Sequence, residues 1–350
     1  MERIHGGDWA GFEGEYGVPP LDFSASISPL GLPDGVRRAA AAALADCGRY
    51  PDPLCRELRG RLARAHGVPE DCILCGNGAA DLIDRLALAL RPRRALVTAP
   101  TFSEYGAALS RVGCQIRRWV LPRENGFRLT EEFLSAVTPE LDLVILCEPN
   151  NPTGRTTDRA LLEAVLERCD ACGALLAVDG CFADFLDDPA GATLQGALGA
   201  RRLFILRAFT KFYAMAGIRL GYCLCGDGAL LEEMRRSGQP WPVSIPAQAA
   251  GAAALEETRY AAGLRRLIRE QRPLLARALA DCGCLVVPGE ANYLLFFHPD
   301  QLLAQKLCGR GILIRSCADY DGLGPGWYRT AVRTAEENQR LAQNIKGCVS

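Results

Sequence analysis

Four short apolar runs, Ala95-Leu-Val-Thr98, Leu143-Val-Ile-Leu-Cys147, Ala174-Leu-Leu-Ala-Val178 and Leu203-Phe-Ile-Leu206, punctuate the first two thirds of the chain. Runs this short and this apolar read as strands buried on both faces. Helical patterns lie between them, at about 34–47, 55–66, 79–91, 103–112, 130–137, 158–172 and 227–237. Strands that take turns with helices predict an α/β architecture with a mostly parallel sheet. After Trp241-Pro-Val-Ser-Ile-Pro246 the texture changes. Long helices are predicted at about 247–257 and 259–282, then short strands near 284–287, 292–297, 312–315 and 327–332 and a closing helix. The expectation is a large domain over 34–240 and a smaller α+β domain over 241–350, with the Pro-rich segment as hinge. There is no internal repeat, and the one biased tract is an alanine-rich helix at 39–45.

Composition narrows the function classes. With 350 residues, 49% of them hydrophobic and 23% charged, the chain can bury a large core as one compact unit or two interlocked domains. A net charge of -1 without runs of like charge gives no reason to expect a nucleic-acid or anionic-membrane partner. No apolar stretch is long enough to span a bilayer, and the first residues lack an apolar h-region, so a cytoplasmic location is expected. The sixteen cysteines are then expected as reduced, mostly buried thiols. Two CxxC pairs, Cys72/Cys75 and Cys169/Cys172, lie far apart and neither is joined by a paired His, so no metal site is expected. His66 before Gly67, and His298 before Pro299, read as caps or surface residues.

The polar chemistry gathers where those strands end, the usual ligand position of an open α/β sheet. Only three of the forty basic residues are lysines. One of them, Lys211, stands inside Arg207-Ala-Phe-Thr-Lys-Phe-Tyr-Ala-Met-Ala-Gly-Ile-Arg-Leu-Gly-Tyr222. Lysine can lose its proton and attack a carbonyl whereas arginine cannot, so Lys211 reads as a Schiff-base amine. Gly76-Asn-Gly-Ala-Ala80 opens a helix whose N–H groups could receive a phosphate, although a plain tight turn is an equal reading. Asp81 stands where a dinucleotide fingerprint wants a small residue, which disfavours a nicotinamide dehydrogenase. Phe102, Asn151 and Asp179 follow in Pro100-Thr-Phe-Ser-Glu-Tyr105, Glu148-Pro-Asn-Asn-Pro-Thr-Gly154 and Ala177-Val-Asp-Gly-Cys-Phe182. Each has a plainer reading, as a core aromatic, a turn former and a cap. An aromatic ring, an amide, a carboxylate and an amine are together what holds and tunes a pyridine aldehyde.

In the Asn-Pro-Thr-Gly turn at 151–154, the aspartate at 179 and Lys211 followed eight residues later by Arg219, the chain resembles the fold-type I pyridoxal-phosphate enzymes of the class I/II aminotransferase family. The likeness spans nearly the whole chain. It implies that Lys211 forms the Schiff base with pyridoxal 5'-phosphate and then moves a proton, while Asp179 pairs with the pyridine N–H. It further implies that Asn151 binds the ring oxygen, that Phe102 stacks on the ring, and that Thr210, Arg219 and the Gly78-Ala79 backbone hold the cofactor phosphate. Tyr50, in Arg49-Tyr-Pro-Asp-Pro53, resembles the family tyrosine that reaches that phosphate from a neighbouring subunit, which implies a homodimer. Residues 1–33 would be an arm that contributes to the small domain and the site.

Within that family, His5-Gly-Gly7, Leu21-Asp-Phe-Ser-Ala-Ser-Ile-Ser-Pro-Leu-Gly31, Gly311-Ile-Leu-Ile-Arg-Ser-Cys317 and Tyr328-Arg-Thr-Ala-Val-Arg-Thr-Ala-Glu-Glu-Asn338 resemble the L-threonine O-3-phosphate decarboxylases of cobalamin biosynthesis. Histidinol-phosphate aminotransferases are the runner-up. The resemblance implies a small phosphorylated amino acid as substrate, with Arg329 on its carboxylate, Arg315 and His5 on its phosphate, and Arg333 as a further cation. His5 could equally be a mobile terminus. Relatives usually read Ser-Ala-Asn-Ile-Asn-Pro and Asp-Glu-Ala where this chain has Ser24-Ala-Ser-Ile-Ser-Pro29 and Asp179-Gly-Cys181. Ala208 replaces a hydroxyl residue, a lost phosphate donor worth about 1 kcal/mol or somewhat more. A sensor that keeps fold and cofactor but not turnover is a third reading, opposed by the presence of Lys211, Asp179 and Arg329.

Overall fold

A computed structural model describes residues 5–349. The arm carries helix α1 (Trp9–Tyr16) and strand β1 (Leu21–Asp22), then α2 (Asp34–Ala43) and α3 (Arg56–His66) lead into the large sheet. That sheet has seven strands: β2 (Ile73–Gly76), β3 (Arg94–Ala99), β4 (Gln115–Val120), β5 (Leu143–Cys147), β6 (Leu175–Asp179), β7 (Leu203–Ala208) and β8 (Gly221–Cys225). Their order is β2-β8-β7-β6-β5-β3-β4, and β8 alone runs against its neighbours. Helices α4 (Ala79–Leu90), α5 (Ser103–Arg111), α6 (Arg159–Cys172) and α7 (Gly228–Arg236) cover it.

Period-two alternation sends Leu96, Val144, Leu176 and Ile205 into one core and Val97, Ile145, Ala177 and Leu206 into the other. Each of these side chains larger than alanine stabilises the fold by roughly 1.5–3 kcal/mol on burial. Local chemistry sets the helix ends. Asp158 accepts from the Ala160 and Leu161 N–H groups to start α6, which stops at Gly173 in the left-handed region (φ 76°). The segment predicted as a helix near 130–137 is a 3-10 turn, Glu131–Ala136.

Helices α8 (Ile245–Ala254) and α9 (Thr258–Ala280) follow. Although α8 comes after the Pro-rich segment, its Ala247, Ala250 and Ala254 pack into the large-sheet core beside Val36 and Leu58, because small side chains let it lie close against α2. One face of α9, with Leu264, Ile268, Leu275 and Leu279, buries against a second, four-stranded antiparallel sheet. That sheet contains β9 (Leu285–Val286), β10 (Tyr293–Phe297), β12 (Arg315–Ser316) and β13 (Trp327–Ala331) in the order β12-β13-β10-β9. Helices α10 (Leu303–Cys308) and α11 (Ala335–Val349) pack with it, and β11 (Ile312–Leu313) pairs in parallel with β1, tying the arm to this half. Among the described residues no helix is long and apolar enough to cross a membrane.

Candidate active site

Register in the small sheet makes an unusual demand. Arg315 and Arg329 lie directly opposite each other on β12 and β13, so both side chains project from one face. Like charges in such a pair repel, and anions placed between them would offset the cost. Both guanidinium groups line a cavity of about 190 Å³ whose other wall is the carboxyl end of the large sheet. Lys211, Asp179, Asn151, Thr210, Arg219, Phe102, Ala79 and His5 line the same cavity.

Lys211 follows β7, and its amine donates to the Ala25 carbonyl at 2.9 Å. Burial first, and then the charges of Arg329 and Arg219, push the amine down to about 8. Asp179 closes β6. Burial raises its carboxyl, while the Tyr105 hydroxyl, donating at 2.5 Å, and the Cys181 N–H, donating at 2.9 Å, favour its charged form. Among the described residues no cation pairs with this buried carboxylate, which suits it to receiving a positively charged N–H. Tyr105 escaped the sequence reading although it lies three residues beyond Phe102. The available signal was its place in the first turn of α5, three residues after the N-cap Phe102; the two rings lie 5.6 Å apart, edge to face.

The loop after β5 is braced from within. Asn150 donates to the Pro100 carbonyl at 3.0 Å and to Thr153 at 2.9 Å, leaving Asn151 to face the cavity and accept from Arg329. Arg329 also donates to the Ser24 carbonyl at 2.8 Å, and its Nε has no partner. Gly78 caps α4 at φ 82°, and a Cβ there would stand 2.4 Å from the Arg219 guanidinium. The helix N-terminus and that cation are thus packed against each other, as an anion seat requires. His5 Nε2 lies 3.0 Å from Glu104 Oε1, with its ring 5.8 Å from Phe102. The two glycines after it let the arm approach: a Cβ on Gly6 would be 2.3 Å from the Ser24 carbonyl oxygen, and Gly7 N–H donates to Ser24 Oγ at 2.8 Å.

Arg333 does not reach this cavity. Its guanidinium donates to the Asp22 carbonyl at 3.0 Å and to Glu337 at 2.7 Å, so it braces the arm against α11. Tyr50 is 75% exposed and stacks on Trp241 at 4.2 Å, away from the cavity of its own chain. Neither histidine outside the arm is a surface residue: His66 bonds Gln195 and Tyr222 at 2.9 and 2.8 Å, and the buried His298 accepts from the Asp300 N–H at 3.1 Å. The sixteen cysteines are free thiols, and among the described residues no cluster of three or more His, Cys, Asp or Glu could hold a metal ion.

The departures from the family pattern have physical reasons. A Cβ on Gly180 would meet Thr193 at 2.6 Å and Arg207 at 3.2 Å, so the relatives' glutamate has no room. Ser28 bonds the Tyr260 hydroxyl at 2.6 Å, and Ser26, in the left-handed region at φ 51°, turns its hydroxyl into the interior without a partner. Neither hydroxyl lines the cavity.

A mixed, mostly parallel sheet with a buried amine at its strand ends, roofed by a small antiparallel sheet bearing two arginines, is the arrangement of an α/β enzyme. The family model "Aminotransferase class I and II" matches residues 19–345, and the chain belongs to that family. It is, with that family, a pyridoxal-phosphate-dependent enzyme. It is 41% identical to the threonine-phosphate decarboxylase of Salmonella typhimurium, over 100% of this chain and 98% of the relative. It is 32% identical to histidinol-phosphate aminotransferase 1 of Cupriavidus pinatubonensis, over 93% and 86%. Its fold matches the histidinol-phosphate aminotransferase structure from Clostridium acetobutylicum with a TM-score of 0.87 at 26% identity, covering 93% and 98% of the two chains.

Proposed function

We propose that this chain decarboxylates a small phosphorylated amino acid, L-threonine O-3-phosphate, as a step of cobalamin biosynthesis. The observation that carries the reading is the pairing of Arg315 with Arg329 across β12 and β13, facing Lys211. Two anionic ends on one small substrate answer two guanidinium groups on one sheet face. In this reading Arg329 grips the α-carboxylate, and Arg315 with His5 grips the phosphate. The 41% identity to a threonine-phosphate decarboxylase points the same way.

The residues fit pyridoxal 5'-phosphate. Arg219, Thr210 and the Gly78-Ala79 backbone would hold its phosphate, Phe102 its ring face and Asn151 its ring oxygen. Asp179 would keep the pyridine nitrogen protonated, and Tyr105 would hold that carboxylate in place. When bound, the cofactor supplies an electron sink for the charge that bond cleavage leaves at the substrate Cα. Lys211 would hold the cofactor through its buried amine and would carry a proton to or from the substrate Cα. Arg329, Arg315 and His5 fix the rotation of the substrate and thereby which Cα bond breaks. We also propose a cytoplasmic homodimer in which Tyr50 of each chain reaches the other's cavity. The exposure of Tyr50, which stacks on Trp241 away from its own cavity, leaves its ring free to reach a second chain.

A second reading, transamination of histidinol phosphate, draws on the 32% identity noted above. The two are separated by offering O-phosphothreonine alone, and histidinol phosphate with 2-oxoglutarate. Release of CO2 from the first without glutamate from the second is the expected result. Glutamate without CO2 would reject the decarboxylase.

A further inference from the structure

Both side chains assigned to the substrate phosphate already hold a carboxylate of their own chain. Arg315 donates to Asp319 Oδ2 at 2.7 Å, and His5 Nε2 lies 3.0 Å from Glu104. In the first pair the arginine side chain is 11% exposed and the aspartate 54%. The cation is thus built into the cavity wall, and the anion is the member that solvent can receive.

The backbone around Asp319 is braced independently of that contact. Cys317 N–H donates to the Trp327 carbonyl at 2.8 Å, Leu323 N–H donates to the Tyr320 carbonyl at 3.0 Å, and Asp321 pairs with Arg118 on the edge strand β4. The Asp319 carboxylate can leave Arg315 by rotating its own side-chain bonds, with the segment held. Without it, the empty site would leave a nearly buried guanidinium across from Arg329 with the Tyr320 ring, 5.5 Å away, but no anion against it to offset the repulsion.

We propose that Asp319 is a built-in counter-anion that occupies the phosphate seat of Arg315 until substrate arrives, and so sets the affinity for the phosphorylated end of the substrate. The inference rests on the assignment of Arg315 to the substrate phosphate. Whatever Asp319 adds to the stability of the empty site is subtracted from the binding of the incoming phosphate, because the two anions compete for one donor. The amino-acid end, gripped by Arg329, does not feel that competition.

The test uses holoenzyme at constant ionic strength and the variants Asp319→Asn and Arg315→Met. Inhibition by inorganic phosphate, kcat and KM for O-phosphothreonine, and binding of unphosphorylated threonine, read from cofactor absorbance, are measured. For Asp319→Asn, the inhibition constant of phosphate and the KM for O-phosphothreonine should fall about threefold, as expected for a partly exposed ion pair. Its kcat and its threonine affinity should stay within about twofold of the parent. An unchanged or raised KM overturns the proposal, since an aspartate that merely orients Arg315 would strengthen phosphate binding. Arg315→Met should raise that KM, and if it leaves both KM and phosphate inhibition unaltered, the assignment of Arg315 falls and the counter-anion with it.

Discussion

Burial, and after it the neighbouring cations, disfavour the proton on Lys211. Burial and the Arg329 charge bring the amine to about 8, so near neutral pH far more of it is in the neutral, nucleophilic form than for a solvated lysine. The sign follows from the direction of the shift: the neutral amine is lost as pH falls through about 8, so capture of pyridoxal phosphate by cofactor-free protein should slow below that pH and level off above it. Arg329→Met removes a repelling cation and should move the midpoint upward by up to about one unit. Stopped-flow absorbance across the range checks both, and a midpoint that moves down would contradict the electrostatic account. Lys211, Asp179 and Asn151 were legible in the sequence because each sits in a motif of distinctive composition. Arg333 misled because it shares a strand-end motif with Arg329. Only its hydrogen bonds to the Asp22 carbonyl and to Glu337 reveal that it turns to the arm instead.

At the scale of elements, the site depends on helix and strand ends more than on helix and strand interiors. Gly78 places the start of α4 against Arg219 in a backbone conformation that L side chains rarely adopt. Gly78→Ala should therefore weaken cofactor binding at least about tenfold and cost on the order of 1–2 kcal/mol in stability, by displacing the guanidinium and straining the cap. Cofactor titration followed by fluorescence, with thermal melts of the cofactor-free protein, separates the two effects. Unchanged affinity would remove α4 from the phosphate seat. The buried central strands were readable from their continuous apolar runs. Strand β4 was not, since at the sheet edge Gln115, Arg117 and Arg118 face water and the run carries no core signal. Helix α1 was missed for a related reason: Phe12 is its one buried residue, so no apolar periodicity marks it.

On the scale of the whole molecule, the large sheet contributes the amine, the carboxylate and the amide, while the small sheet contributes the arginines. Arg329 joins them, bonding Asn151 on one side and the arm's Ser24 on the other. No single segment of the sequence contains a complete site, and the β12–β13 register that brings Arg315 opposite Arg329 is a long-range pairing that spacing alone does not reveal. The account depends above all on one covalent bond at one lysine. Purified protein supplied with pyridoxal phosphate should acquire a visible absorbance band, and borohydride reduction followed by peptide mapping should place the cofactor on Lys211. A label on Lys306 or Lys346, or no band at all, would contradict it.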